Sequence, residues 1–340
     1  MKTVNIVLAG FGRVGRAFAR LAADKRDPCR ERYDLDLAVR AIFTSDGGAL
    51  GEGPLPLGPY TAGPQPEIRN TDFWRKGLRP DIAFATIEPG VLVECTPSDI
   101  KTGEPGLSHI TSAISRGWHV VSASKGALVI KFREITDLAA KRGVRLRYSA
   151  AVGASLPTLD VGLSALAGTE ILGIEGILNG TTNDILTRMA EGMDYGRALQ
   201  EAKDKGIAEP DPTMDVDGWD TACKILLISN AVMRTSFGID DVQVEGIRGI
   251  SHELIAKAAQ LGKTIKLMGK CSKEERDHPW KIEVGLALLD PGHALYGING
   301  TNKGITFYTD TMGAITVTGG KSDPLGTGAA ILKDIIQIYR

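Results

Sequence analysis

The sequence predicts an α/β fold, with a Rossmann-type doubly wound parallel sheet and a second α+β domain. Up to about residue 150, short β-rich runs alternate with helical patterns, as they do in βαβ units. Beyond residue 153 the pattern changes, and residues 264–320 alternate like strands of a sheet with one exposed face. We therefore expect a dinucleotide-binding domain over 1–152, completed by 320–340, and a second domain over 153–319.

The individual elements follow from periodicity and from the turn residues between them. The predicted strands of the first domain are 4–10, 35–44, 91–96, 118–124 and 144–150, and its predicted helices are 14–23, 108–116 and 132–142. In the second domain we expect a strand at 170–180, helices near 183–191, 196–205 and 252–262, and an apolar helix after Asp220. Residues 328–340 predict a final helix, and the Gly/Pro-rich stretch 48–70 predicts a functional or mobile loop.

Composition narrows the class of protein. The chain has 340 residues and a net charge of -1, which gives no indication of a nucleic-acid or membrane partner. No apolar run reaches the length of a membrane span, and the four cysteines form no CxxC pair. Histidines and cysteines also lack the spacing of a zinc site. We expect a cytoplasmic enzyme or small-molecule binder.

The chain begins with a nucleotide-binding pattern. The sequence VLAGFGRVGRAF places Gly10, Gly12 and Gly15 in G-x-G-x-x-G spacing between a strand and a helix. The first glycine permits a tight turn, the second lets backbone approach a pyrophosphate, and the third allows close packing of helix and strand. With Arg13 and Val14 in the same turn, the motif predicts NAD or NADP binding. The alternative is a glycine-rich turn that binds nothing.

The second predicted strand bears on the choice of cofactor. Asp46 follows it and suits a ribose hydroxyl, whereas Arg40 on the same strand would suit a 2′-phosphate. Asp46 is equally well explained as a turn residue. The sequence therefore leaves NAD and NADP open.

The segment EPDPTMDVDGWDTACK, residues 209–224, concentrates negative charge before an apolar helix. A calcium loop with Gly218 at its invariant glycine would need a glutamate at its last position, which is Lys224. A lysine there would repel the ion, so the calcium site is excluded. The segment is then either a capped helix start or an active site.

The position of Lys224 favours the interpretation of residues 209–224 as part of an active site. Asp217 is predicted to cap the helix, but Lys224 lies four residues after Asp220, on the same helix face and near the positive end of the helix dipole. Burial and this dipole both disfavour the charged ammonium, which suits a general acid/base held by Asp220. Glu209 and Asp215 could bind a cationic group, and Asp211 has no predicted role.

The segment GIAEPDPTMDVDGWDTACK resembles the signature of homoserine dehydrogenases. GFGRVG, VECTPS, HVVSASKGAL, AAVGASLPTL and GILNGTTNDIL agree with the same family along almost the whole chain. The resemblance is to the short form, without a fused kinase or a regulatory domain. It implies an NAD(P)-dependent homodimer that reversibly reduces L-aspartate 4-semialdehyde to L-homoserine.

The resemblance also implies roles for single residues. Lys224 would exchange a proton with the reacting oxygen, Asp220 would orient it, and Lys125 would lie near nicotinamide and substrate. Substrate contacts are implied for Glu209, Asp215, Thr181 and Gly206. Cofactor contacts are implied for Thr96 and Lys125. The glycine motif itself predicts contacts of Gly10, Gly12, Arg13, Val14 and Gly15, and the glycine-rich loop 319–328 predicts that Gly320 lies near the cofactor. Lys125 alternatively is a surface lysine at a strand end, and Thr181 a turn residue.

Two departures from the family pattern matter. Ser124 replaces an asparagine before Lys125, which preserves a hydrogen-bonding side chain. Ser149 replaces a glutamate that helps bind sodium, together with backbone carbonyls matching Val152, Ala154 and Leu156. Without the carboxylate we expect a weak or absent monovalent-ion site. This departure motivates one alternative, a relative that reduces another small amino-bearing aldehyde or oxo acid. A separate alternative is a non-catalytic nucleotide sensor on the same fold, which the presence of Lys125, Asp220 and Lys224 disfavours.

Overall fold

The computed structural model describes residues 1–58, 68–273, 278–320 and 323–340. It divides into two compact units. The first unit comprises residues 1–155 and 323–340, and the second comprises residues 156–322. The predicted 48–70 loop contains a short strand and a 3-10 turn over Ile68–Asn70, but its residues 59–67 lie outside the described part.

The first unit is built on a seven-stranded sheet. Its strands are β1 (Lys2–Ala9), β2 (Leu35–Thr44), β3 (Gly47–Leu50), β4 (Trp74–Lys76), β5 (Val91–Glu94), β6 (His119–Ser122) and β7 (Leu146–Arg147). The order is β4-β3-β2-β1-β5-β6-β7, with β2, β1, β5, β6 and β7 parallel and the β3–β4 edge antiparallel. Strand order reverses between β1 and β5, which makes the crevice at their carboxyl ends the usual ligand site of such sheets.

Helices cover both faces of this sheet. They are α1 (Arg13–Asp24), α2 (Arg26–Tyr33), α3 (Pro80–Thr86), α4 (Gly106–Ser115), α5 (Gly126–Arg142), α6 (Ser149–Val152) and the final helix, Pro324–Tyr339. On one face Ile6 and Leu8 belong to an apolar cluster with Phe18 and Ile331. Val7, which points to the other face, is also fully buried. The predicted doubly wound α/β class is confirmed.

The second unit has a six-stranded sheet in the order β13-β12-β8-β10-β11-β9. These strands are β8 (Ile171–Ile177), β9 (Gln243–Val244), β10 (Thr264–Ser272), β11 (Lys281–Leu289), β12 (Lys303–Thr309) and β13 (Ala314–Gly319). The four strands β12, β8, β10 and β11 are antiparallel neighbours. The strands predicted in 264–320 are present, but the alternation predicted for them was wrong in β10 and β12, where consecutive residues are buried because both faces of these strands are covered.

Several helices of the second unit pack on this sheet. The helices of this unit are α7 (Thr158–Asp160), α8 (Gly180–Ala190), α9 (Tyr195–Asp204), α10 (Thr213–Val216), α11 (Trp219–Val232) and α12 (His252–Gln260). The last helix of the chain, α13 (Pro324–Tyr339), belongs to the first unit. A methyl group at Gly269 of β10 would lie 3.0 Å from Ile225 and 3.1 Å from Thr221, so α11 lies directly against the sheet. This packing buries most of α11 and fixes the side chains of its first turns.

Some predicted boundaries were wrong. The strand expected at 144–150 is limited to Leu146–Arg147, because Ser149–Val152 already forms α6. Helix α5 already begins at Gly126, but Lys131 has non-helical backbone angles, so the segment after this kink starts where the helix 132–142 was predicted. No helix among the described residues is both long enough and apolar enough to cross a membrane.

Candidate active site

The glycine-rich turn after β1 has the geometry of a nucleotide cradle. Gly10 has φ +91°, and a methyl group there would lie 2.5 Å from the Cys95 carbonyl. Gly15 packs so tightly that its methyl would lie 2.1 Å from the Gly10 oxygen. Gly12, by contrast, faces open space and precedes α1 without a side-chain cap. The free N–H groups at the start of α1, from Arg13 and Val14 onward, can therefore receive a pyrophosphate.

Loops after β5 and β6 lie at the same carboxyl edge of the sheet as this turn. The Thr96 amide donates to Glu94 at 2.7 Å, and the Thr96 hydroxyl also bonds to this fully buried carboxylate. Lys125 begins α5, and its amide donates to the Ser98 hydroxyl at 2.8 Å. Thr96 and Lys125 are thus held by short contacts at the edge where ligands bind in this class of sheet.

Asp46 lies just after β2 and forms an ion pair with Arg69. The Arg69 guanidinium donates to both of its oxygens at 2.9 Å, and Thr44 donates at 2.7 Å. Arg69 first, and then Thr44, hold the pKa of Asp46 well below its usual range. Arg40, offered above as a phosphate ligand, instead donates to Asn5 and to the carbonyls of Gly51 and Glu52. That contact turns Arg40 away from the end of β2.

In the second unit, Lys224 and Asp220 form the ion pair that their spacing predicted. Lys224 Nζ lies 2.6 Å from Asp220 Oδ2 and donates to the Leu178 carbonyl at 2.9 Å. The two side chains are 17% and 12% exposed, so the pair is shielded but reachable. Among the described residues these two bonds occupy two of the three ammonium hydrogens. One N–H remains for a substrate oxygen.

Asn179 is a site residue that the sequence analysis missed. Its Nδ2 donates to Asp215 at 2.7 Å and to Asp220 at 2.8 Å. Its Oδ1 accepts the Thr182 amide at 2.8 Å and thereby caps α8. An asparagine before Gly-Thr-Thr is a recognisable helix-cap pattern, but nothing in the sequence indicated that the same side chain joins two distant aspartates.

The remaining predicted substrate residues lie at the start of α8 and in the turn after α9. The Thr181 hydroxyl donates to the Ile207 carbonyl at 3.2 Å, which ties the start of α8 to the turn after α9. Gly206 makes that turn with φ +68°. Glu209 follows it and is exposed. The structure thus brings together Asp215, Asp220 and Lys224, and it leaves Glu209 on the accessible side.

Two aspartates of the acidic segment have other partners. The prediction that Asp217 caps α11 was wrong, because the capping position is Gly218, with φ +88° and no side-chain acceptor. Asp217 instead pairs with Arg248 at 2.6 Å. Asp211 accepts the Thr213 amide at 3.1 Å, and bonds from Thr213 lower the pKa of this carboxyl. Asp211 therefore has a local turn-forming role.

The position expected to bind a monovalent ion is occupied by protein charges. The Ser149 amide and hydroxyl donate to fully buried Asp334 at 2.9 and 2.8 Å, and Lys333 Nζ donates to the same hydroxyl at 2.9 Å. An ammonium so close would repel a second cation. The Leu156 carbonyl already accepts the Thr158 amide at 2.8 Å. Val152 and Ala154 offer only backbone oxygens, so the residues present do not fit a sodium ion.

No group of three or more His, Cys, Asp or Glu side chains among the described residues could hold a metal ion. Gly320, the remaining predicted cofactor residue, follows β13 with φ +76°.

Comparisons with known proteins agree with this architecture. Residues 10–149 match the family model described as homoserine dehydrogenase, NAD binding domain, and residues 157–336 match the model described as homoserine dehydrogenase. These two matches define an NAD-binding oxidoreductase.

The chain belongs to the homoserine dehydrogenase family, as its sequence motifs predicted. It is 38% identical to the homoserine dehydrogenase of Methanocaldococcus jannaschii, over 99% of this chain and 98% of that protein. It is 30% identical to the NAD(+)-dependent homoserine dehydrogenase of Pseudomonas canavaninivorans, over 100% and 97%. A crystal structure from Archaeoglobus fulgidus, of a protein assigned as a homoserine dehydrogenase, superposes with a TM-score of 0.87 at 34% identity over 99% of both chains.

Proposed function

We propose that this protein reversibly reduces L-aspartate 4-semialdehyde to L-homoserine, with Lys224 as general acid/base. The observation that carries the proposal is the Lys224–Asp220 pair, in which one N–H of a shielded ammonium remains available for the reacting oxygen. Family membership supports the reaction class, and the geometry supports the residue.

The proton-transfer step follows from the contacts of Lys224. A bound reduced nicotinamide supplies the hydride that the aldehyde carbon accepts. As negative charge develops on the aldehyde oxygen, the ammonium stabilises it and transfers one proton to it, which gives the alcohol and a neutral amine. In the oxidation direction the neutral amine takes the proton back. Asp220, at 2.6 Å, holds Nζ in place during both steps.

Substrate recognition is assigned to the acidic side of the site. The α-ammonium of the substrate would be held by Asp215 and by exposed Glu209, because carboxylates are its strongest partners in a protein. Thr181 and Gly206 would line the pocket at the joined ends of α8 and α9. Thr96 and Lys125 would contact the nicotinamide end, and Gly320 is proposed near the cofactor.

Cofactor choice is proposed from the end of β2. The Asp46 carboxylate, which Arg69 and Thr44 keep ionised, favours the ribose 2′-hydroxyl of NAD. Arg69 in the same contact could instead meet a 2′-phosphate, so use of NADP is also tested. We further propose a homodimer in which the strand-rich 264–320 region contributes to the subunit contact.

The test is the rate of nicotinamide reduction with homoserine, compared with serine, threonine and 4-hydroxybutyrate, with NAD or NADP. We expect homoserine to give the highest kcat/KM. Higher activity on another amino-bearing alcohol would support the alternative of a divergent relative. Nucleotide binding with no turnover of any alcohol would support a nucleotide sensor.

A further inference from the structure

We propose that Asn179 is a positioning residue for proton transfer, which links the carboxylate at the amine-binding position to the partner of the acid/base lysine. The inference rests on the proposed function of Lys224. Asn179 is 4% exposed and begins α8, while the two carboxylates it contacts lie on α10 and α11. One side chain thus joins three separate elements of the second unit.

The orientation of the Asn179 amide is fixed by its partners. The Thr182 backbone amide is only a donor, so the group facing it at 2.8 Å must be Oδ1. The Thr182 hydroxyl also donates to Oδ1, at 3.1 Å. Nδ2 therefore faces the two aspartates, and each of its hydrogens is used by one carboxylate.

This arrangement allows two carboxylates to lie close together. Nδ2 is 2.7 Å from Asp215 Oδ1 and 2.8 Å from Asp220 Oδ2, so these oxygens cannot be further apart than the sum of the two distances. Two carboxylates at that range repel each other unless donors lie between them. Asn179 supplies those donors without adding a charge, and so reduces the repulsion between the two aspartates.

Asn179 also limits how strongly Asp220 holds the lysine. Asp220 Oδ2 accepts from Lys224 at 2.6 Å and from Asn179 at 2.8 Å. Without the amide, more of the carboxylate charge falls on the ammonium, and the proton becomes harder to remove. Removing the donor should therefore slow proton transfer and move the pH–rate profile of homoserine oxidation to higher pH.

Two substitutions separate this role from helix capping. Asn179→Asp and Asn179→Ser both keep an oxygen that can cap α8, since Asp and Ser are as effective as Asn at that position. Both remove the Nδ2 donor, and only Asp adds a charge. Asp194→Ala is the matched control, because it removes the cap of α9, where Asp194 accepts the Arg197 amide at 2.9 Å, without altering the site.

The experiment measures kcat/KM for homoserine across pH, together with Tm, for these variants. We expect Asn179→Ser to keep a Tm close to wild type, and Asn179→Asp to have a lower Tm because it adds a third carboxylate beside Asp215 and Asp220. Both variants should lose kcat/KM by about 10- to 100-fold. The midpoint of the profile should move to higher pH in both, and further in Asn179→Asp. Asp194→Ala should lower Tm and leave the midpoint unchanged.

Two outcomes would overturn the proposal. The first would reject only the positioning role of Asn179, and the second would also reject the proposed function. Wild-type midpoints and kcat/KM in both Asn179 variants, with an inactive Lys224→Ala, would reject the positioning role and leave the proposed function standing. A fully active Lys224→Ala would reject both, because Asn179 is proposed to act through that lysine.

Discussion

Lys224 Nζ lies 2.6 Å from Asp220 Oδ2, one turn further along the same buried helix. Asp220 is near the N-terminus of α11, where the helix dipole also favours an anion. The pair is therefore an ion pair at the end of the helix where a lysine alone would be unfavourable. This relationship was predictable from spacing, because residues four apart share a helix face.

The amine-binding role proposed for Asp215 predicts a change in KM. Asp215→Asn keeps an oxygen that can accept from Asn179, but it removes the negative charge that would attract the substrate ammonium. We expect KM for homoserine to rise by about 10- to 100-fold. The rate with 4-hydroxybutyrate, which lacks the amine, should change little. Asp240→Asn, at an exposed position, is the control. An unchanged KM in Asp215→Asn would remove this residue from the amine site.

Two alanine substitutions in the glycine turn are expected to have different effects, one on NADH binding and the other on stability. Gly12→Ala has room in the fold, but its methyl group would lie where the pyrophosphate approaches. We expect native-like Tm and at least about 10-fold weaker NADH binding by titration calorimetry. Gly10→Ala has φ +91° and a clash with Cys95, so it should lose about 1–3 kcal/mol of stability. Unimpaired NADH binding in Gly12→Ala would contradict the assignment of this turn.

Much of the fold was predictable because it is encoded locally. The prediction for 35–44 matches β2, Leu35–Thr44, since a long apolar run between polar turns leaves little choice. Asp217 was misassigned because the next residue, Gly218, has a left-handed backbone conformation and takes the capping position of α11. Sequence alone does not show where such a turn falls. Asn179 was missed because its aspartate partners are 36 and 41 residues away.

The contacts of Ser149 predict indifference to monovalent cations. Lys333 Nζ, 2.9 Å from the Ser149 hydroxyl and 3.0 Å from Asp334, already places a positive charge at this position. Initial rates in sodium, potassium and tetramethylammonium chloride at equal ionic strength should agree within about two-fold, because the position around Ser149 does not select a hard cation. A ten-fold or larger activation by sodium would show that the ion binds despite the ammonium.

Lys266 predicts a pH dependence of stability. This lysine is 1% exposed, and burial lowers its pKa from 10.5 to about 8. Between these values the unfolded chain binds the extra proton, so the free energy of unfolding should rise with pH by up to about 3 kcal/mol. Denaturant unfolding across this window should show the rise, and Lys266→Met should lose it. The control variant Lys257→Met, at an exposed position, should retain this rise. An equal dependence of the free energy of unfolding on pH in the two variants would contradict the assignment of the rise to Lys266.

The most direct test of the account is the turnover of Lys224→Ala, measured beside its affinity for NADH. General acid/base catalysis contributes about 10²- to 10⁴-fold, so we predict a loss of kcat of that size with NADH affinity within about two-fold of wild type. Lys257→Ala should behave as wild type in both measurements. Homoserine oxidation by Lys224→Ala at a near wild-type rate would contradict the central claim.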